Sequence, residues 1–254
     1  MDTKRAVQEQ FTAAAKDYGE GWTHASGPDL EAMLAAAGEA AGRTVLDVGA
    51  GAGHTAFAFA GAADHVVALD LTPAMLAETR AGGAARGLAH LVTQEGDAES
   101  IPFPDAHFDI VTSRLAAHHF PHIGRFVEQA HRVLRPGGQL IVSDTISPND
   151  DAQDTYGNAI EVLRDPSHVR NHRVREWHEH FARAGFATLA DHGRFASPLD
   201  FEVWTDRMNT PQAAKEGIQA LFQASPSPVA QAFHIGPDGS AWQLEIAVLS
   251  ATKA

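Results

Sequence analysis

The chain contains no cysteine. That excludes disulfides and thiolate metal sites and leaves the redox compartment open. Histidine, present 15 times, is then the main group titrating near neutrality. Basic residues are also scarce: 19 Lys and Arg stand against 32 Asp and Glu, a net charge of −13. Phosphate-rich surfaces are held by neutralising Lys and Arg, so neither nucleic acid nor an anionic membrane is an expected partner. Long apolar runs are missing too. None approaches the ~20 residues that a membrane span needs, and the opening MDTKRAVQEQFTAAAKDYGEGW is amphipathic rather than a signal segment. A cytoplasmic protein is expected. There is no internal repeat or low-complexity linker, and 254 residues with 44% hydrophobic content suffice for one core. One domain over 1–254 is expected, with a homodimer compatible with this composition.

What is present is a rhythm. Val7, Phe11, Ala14 and Tyr18 recur at helical spacing over 3–18, and after a Gly-Pro step at 27–28 an Ala-rich helix spans 30–42. The period then changes. TVLDV leads into glycines at 49, 51 and 53, followed by a helical HTAFAFA; VVALDL (66–71) and HLVTQEGD (90–97) are further strands. FDIVTSRLA (108–116) is a fourth, a helix over 122–138 stops at Pro136-Gly137-Gly138, and QLIVSD (139–144) is a fifth. Repeated strand–helix units of this length predict a parallel α/β sheet with helices on both faces. The rhythm breaks in two insertions, 145–176 and 197–240, between which lie a helix (177–186) and a strand (FATLADHGRF). AWQLEIAVLSATK (241–253) is the last strand.

Open α/β sheets bind ligands beyond the carboxyl ends of their strands, where strand order reverses. VLDV runs into GAGAG there, and glycines let the backbone approach a ligand closely. Asp70 ends the second strand, seventeen residues after Gly53, where a carboxylate can accept from ribose hydroxyls. Asp97, followed by Ala98, ends the third, placed for the exocyclic amine of a purine. The glycine spacing is G-x-G-x-G rather than the dinucleotide G-x-G-x-x-G, and Asp47 would set a negative charge against a pyrophosphate. That acid suits a ligand bearing an ammonium and a sulfonium, as S-adenosylmethionine does.

In order, TVLDVGAGAGHTAFAFA, VVALDLTPAML, EGDAESIPFPDAHFDIVTSRLAAHHFPH and HRVLRPGGQLIVSD resemble the motifs of class I S-adenosylmethionine-dependent methyltransferases of the UbiE-like group. EVLRDPSHVR and the later insertion resemble a narrower YcgJ-like branch. The resemblance implies a Rossmann-like seven-stranded mixed sheet with the last strand antiparallel, N-terminal lid helices within 1–42 and a cofactor-binding core over 43–144. It implies S-adenosyl-L-methionine as cofactor and S-adenosyl-L-homocysteine as product. Gly49 and Gly51 would line its methionine part, with Asp47 near the amino group and Asp70 on the ribose. Leu71 and Met75 would flank the adenine, and Asp97 with Ala98 would bind its amine. Phe11 and Tyr18 match a lid-helix pattern. Arg114 would meet the donor's carboxylate or pair with a helix acid.

RLAAHHFPH (114–122) begins where the fourth strand ends, beside the expected methyl donor. Neighbouring histidines point apart, so His118 and His119 are expected to differ: both are catalytic candidates, His118 the better one to face the acceptor as base or contact, and His119 is favoured for a structural or cofactor-pocket role ahead of base or substrate contact. A metal held by His118, His122 and His168 or Asp165 is the least favoured reading. Asp144 ends the fifth strand toward the cleft; Asn158, Glu161 and Arg164 share a helical face, and His168 follows the Pro166 break. These five are the expected substrate-binding set for a small-molecule acceptor, with Trp177, Trp204 and Arg207 completing an aromatic-lined pocket. The expected function is methyl transfer to an O, N or C nucleophile. The alternatives are a lyase or hydrolase cleaving the same cofactor, a non-catalytic binding module and, more distantly, an NAD-linked oxidoreductase.

Overall fold

The computed structural model describes the backbone of residues 3–19 and 26–254, and the side chains of 3–15 and 26–254. Seven strands form one sheet in the order β3-β2-β1-β4-β5-β7-β6. They are β1 (Thr44–Val48), β2 (His65–Asp70), β3 (Leu91–Glu95), β4 (Phe108–Arg114), β5 (Leu134–Ile146), β6 (Phe186–Asp200) and β7 (Ala241–Lys253). The pairings among β1 to β5 are parallel, and β7 runs antiparallel to both β5 and β6. The helices are α1 (Thr3–Gly19), α2 (Pro28–Ala37), α3 (His54–Ala60), α4 (Pro73–Ala85), α5 (Ile123–Val133), α6 (Asp151–Arg164), α7 (Val174–Ala184), α8 (Phe201–Asp206), α9 (Gln212–Gln223) and α10 (Ser227–Ala232).

Alternate residues of the central strands divide between the faces, as the two-residue strand period requires. Leu46, Val48, Val67 and Leu69 pack with Phe126, Val127, Trp177 and Phe181 under α5 and α7. Val45, Val66, Ala68 and Ile110 pack with Met33 and Phe59 under α2 and α3. Such near-continuous apolar strands are what a parallel sheet covered on both faces demands. The insertions make their own apolar cluster from Ile160, Phe201, Trp204, Ile218, Phe222, Phe233 and Trp242. It carries α6 and α8 to α10 above the carboxyl ends of the strands. Among the described residues no helix is long and apolar enough to cross a membrane.

Several boundaries differ from expectation. The second helix stops at Ala37 because Gly38 turns to φ +65°. The helix expected to reach Gly138 ends at Val133: Pro136 disfavours helical backbone in the residue before it, and Leu134 is already extended and pairs with Phe108. The sixth strand continues to Asp200, so the second insertion begins inside it. Trp177 lies in the main core rather than in a pocket.

Candidate active site

Strand order reverses between β1 and β4, and the loops after β1 to β4 enclose a cleft of about 1030 Å³ there. Gly49 (φ +70°) and Gly51 (φ +54°) lie in the left-handed region, where L side chains are strained. The two glycines face different things. A Cβ on Gly49 would come 2.6 Å from the Ala116 Cβ, whereas one on Gly51 would meet nothing within 4 Å and would project into space the turn keeps clear. Asp70 fastens the turn: its Oδ2 accepts the Gly51 N–H at 2.8 Å and its Oδ1 the Thr72 N–H at 2.8 Å. Burial raises the Asp70 pKa, against those backbone bonds.

Asp47 is 1% exposed. Its Oδ1 accepts from the Thr112 hydroxyl at 2.8 Å, and its Oδ2 is buried without a hydrogen-bond partner among the described residues. Burial pushes its carboxyl up to about 7, with the Thr112 hydroxyl and the Arg114 charge opposing only part of the shift. Arg114 lines the cleft and forks onto Asp29 of α2, Nε to Oδ2 at 2.6 Å and Nη2 to Oδ1 at 3.1 Å. It thus pairs with a helix acid, one of its two expected roles. Leu71, Met75, Asp97 and Ala98 also line the cleft.

Helix α1 closes the cleft from above. Lys4 Nζ donates to Asp97 Oδ2 and to Glu99 Oε2, each at 2.7 Å, and Gln8 Nε2 donates to the Leu71 carbonyl at 2.9 Å. Phe11 lines the cleft with its ring edge-on to His119, centroids 5.1 Å apart. The Tyr18 side chain lies outside the described residues.

A second cavity, about 660 Å³, opens under the insertions and shares Phe11, Leu115 and His119 with the cleft. Its wall includes His118, Thr145, Glu161, Arg164, Asp165, Trp204 and Arg207. Arg164 packs its guanidinium 4.9 Å over the Trp204 ring and donates Nε to the Trp204 carbonyl at 3.0 Å. Its Nη1 lies 3.5 Å from Glu161 Oε2. The other Glu161 oxygen, Oε1, is buried without a hydrogen-bond partner among the described residues. Burial raises the Glu161 pKa, against the charges of Arg164 and His118.

Residues 46–142 match the family described as a methyltransferase domain. The chain is 37% identical over 216 residues, 85% of either chain, to the uncharacterized methyltransferase YcgJ of Bacillus subtilis (strain 168). It belongs to the S-adenosylmethionine-dependent methyltransferases. The crystal structure of the YcgJ protein has a TM-score of 0.85 at 32% identity, covering 89% of this chain and 97% of that one. The ubiquinone/menaquinone biosynthesis C-methyltransferase UbiE of Brucella anthropi is 38% identical over 117 residues, 44% of either chain.

S-adenosylmethionine is the methyl donor of this methyltransferase, and the residues of the cleft fit it. An orphaned buried carboxylate oxygen at Asp47 suits an ammonium, and the open side of Gly51 leaves room that any Cβ would fill. Of the five residues expected to touch the acceptor, Glu161 and Arg164 line the second cavity. The other three stand behind its wall. Asp144 is 3% exposed and spends its carboxylate on the His118 ring, the His118 N–H and the Thr145 N–H. Asn158 bridges Asp154, Asn171 and His168, and burial lowers the pKa of His168. Among the described residues no three His, Cys, Asp or Glu are grouped to hold a metal ion. Sequence reasoning did not single out Lys4, Gln8, Leu115 or Met208. Only the helical spacing of α1 hinted at the first two, and nothing local marks the others.

Proposed function

We propose that this methyltransferase moves the methyl group of S-adenosylmethionine to a small-molecule acceptor bound in the second cavity. The observation that carries this reading is the shared wall of Phe11, Leu115 and His119. An acceptor in one chamber and a donor in the other would meet there, the geometry a direct displacement needs. S-adenosylmethionine supplies a methyl already activated by its sulfonium, so the protein's work is to bind, align and exclude water.

In this reading Asp47 takes the donor's ammonium and the Gly49–Gly51 backbone lines its methionine part. Asp70 accepts from the ribose, and Leu71, Met75, Asp97 and Ala98 bound the adenine. Arg114, anchored by Asp29, offers charge to the carboxylate. The core over 43–144 binds the donor, the helices within 1–42 cover it, and the insertions at 145–176 and 197–240 hold the acceptor. Glu161 Oε1 gives an acceptor's donor group a partner, and Trp204, Leu199 and Met208 give it an apolar bed.

The test is incubation of the protein with S-adenosylmethionine and a panel of small phenols, enols, carbon acids and amines. Acceptor-dependent release of S-adenosylhomocysteine supports the proposal. Cleavage of S-adenosylmethionine at equal rate without any acceptor makes the protein a lyase or hydrolase instead. Binding with no turnover makes it a binding module.

A further inference from the structure

His118 and His119 are neighbours on the turn over Ala117–His119, their rings 4.3 Å apart, yet they are wired differently. The Nδ1 of His118 lies 2.6 Å from Asp144 Oδ1, and its backbone N–H donates to Asp144 Oδ2 at 3.0 Å. The Nδ1 of His119 lies 3.1 Å from the Ser167 carbonyl and 3.3 Å from the Ser167 Oγ. That hydroxyl in turn donates to Asp165 Oδ1 at 2.6 Å. A carbonyl oxygen only accepts, so the proton of neutral His119 sits on Nδ1 and the lone pair on Nε2. The arrangement is held by backbone: Val169 and Arg170 N–H both donate to the His118 carbonyl, clipping 167–170 onto the turn. Of the two rings, only His119 walls both the donor cleft and the second cavity.

We propose that His119 is the general base of the methyl transfer, receiving the acceptor's proton on Nε2. The acceptor class follows: its nucleophilic atom carries a weakly acidic proton, as a phenolic or enolic hydroxyl or an activated C–H does, rather than being a free amine with a ready lone pair. The inference rests on the methyl-transfer reading above. In the step, the acceptor's X–H bond yields its proton to Nε2. The X electron pair forms the bond to the methyl carbon, and the carbon–sulfur pair stays on sulfur, giving S-adenosylhomocysteine. Asp165, acting through Ser167, is a positioning residue for the imidazolium that results. His118 is the counterpart, tied to Asp144 and kept from the donor cleft.

The groups facing His119 separate the two histidines by pH. His118 adjoins it on the same turn, Asp144 comes from β5, Asp165 and His168 come from the segment after α6, and α1 presents the uncharged Phe11 ring. Burial and the His118 charge lower His119 to about 4, against Asp165 and the Ser167 bond. Burial also lowers His118, but the charge of Asp144 and its hydrogen bond outweigh it and leave that pKa raised above 6.5. His119 is therefore neutral, with a free lone pair, across the neutral range, whereas a His118 base would require pH above its raised value.

Two experiments test this. Nitrogen-15 NMR of the histidine rings in the S-adenosylhomocysteine complex needs no acceptor. The expected spectrum has His119 neutral at pH 7 and protonated on Nδ1; an Nε2–H tautomer, or a charged ring at pH 7, overturns the assignment. The second is turnover of whichever panel members are methylated. Expected are hydroxyl or carbon nucleophiles, a kcat flat from pH 5.5 to 8, and a loss of about 10²–10⁴-fold in kcat for His119→Gln with an unchanged melting curve. Asp165→Asn should move the acid limb of the profile. Methylation confined to amines, a kcat that rises only above pH 6.5, or a His119→Gln variant with full kcat overturns it. If no panel member is methylated while the NMR shows the expected tautomer, the methyl-transfer reading fails and the tautomer stands.

Discussion

Lys4 and Asp97, 93 positions apart, are joined by a 2.7 Å ion pair across the mouth of the donor cleft. The carboxylate just past the third strand thus fastens the covering helix as well as lining the cleft. The same ammonium reaches Glu99 at 2.7 Å, whose side chain is 4% exposed.

The partly exposed Asp97 pair contributes about 0–1 kcal/mol to stability, and Lys4→Met also takes the cation from the buried Glu99 carboxylate, so the urea midpoint should fall. It should also free α1: amide exchange across Thr3–Gly19 should quicken, and S-adenosylhomocysteine should dissociate several-fold faster. Unchanged exchange in α1 would mean that Gln8 and Phe11 hold the helix without Lys4.

Substitution of either glycine of the turn should cost stability, but the larger further loss should differ between them. Gly49→Ala forces a Cβ to within 2.6 Å of Ala116, about 1–3 kcal/mol, on top of about 1–2 kcal/mol for its left-handed backbone, so the cost falls on folding and is read by denaturant titration. Gly51→Ala meets no neighbour, and the left-handed backbone alone costs about 1–2 kcal/mol. Its methyl intrudes on the cleft, so the larger loss should be in S-adenosylhomocysteine affinity, read by calorimetry. Equal affinity losses in the two variants would remove the distinction.

That Gly49, Gly51, Asp70 and Asp97 meet in one cleft was legible in the sequence because their signals are local. A strand, a glycine turn and an acid at the next strand end are spaced by the fold itself, and Asp70 reaches Gly51 from the adjacent parallel strand. The second cavity was only half legible. Helical spacing put Asn158, Glu161 and Arg164 on one face of α6, but which of them meets a cavity depends on where α8 and α9 dock, and no local pattern encodes that. Asp144 was read as facing the cleft because it ends a strand; its carboxylate is instead taken up by His118, 26 positions away. The histidine pair was read as two different roles; the structure gives the rings different partners, Asp144 for His118 and the carbonyl of Ser167, 48 positions on, for His119, and of the two only His119 lines both cavities.

Asp29 and Arg114 form a buried pair, each side chain 5% exposed, with Ser143 donating to Asp29 Oδ2 at 3.1 Å. Asp29→Ala removes the carboxylate forked onto the buried Arg114 guanidinium, and should cost about 3–5 kcal/mol at pH 7. Burial alone would raise the Asp29 pKa, but the Arg114 hydrogen bond and charge hold it below 3.8. Its contribution is therefore present above the unfolded value near 3.8 and disappears as pH falls through the lower folded value. The gap between wild type and variant in urea midpoint should narrow as pH falls below 3.8 toward the lowered folded value. A gap independent of pH would assign the cost to packing rather than charge.

Asp47 carries the opposite sign. Its folded pKa is raised to about 7, so in the free protein it favours folding below the unfolded value near 3.8, and that contribution is lost as pH rises toward 7. Above pH 7 the folded state bears a buried carboxylate with one unpaired oxygen, and Asp47→Asn should raise stability at pH 8 by up to a few kcal/mol. The same substitution should weaken S-adenosylhomocysteine, whose ammonium then meets a neutral amide. An ammonium on Oδ2 holds the carboxyl ionised, so binding below pH 7 must expel its proton. With a pKa near 7, roughly three-quarters of a proton should be released per ligand at pH 6.5 and almost none at pH 8.5. Calorimetry in two buffers of different ionisation enthalpy reads that number directly. A heat independent of buffer at pH 6.5, or an equal release from Asp47→Asn, would remove Asp47 from the ammonium site.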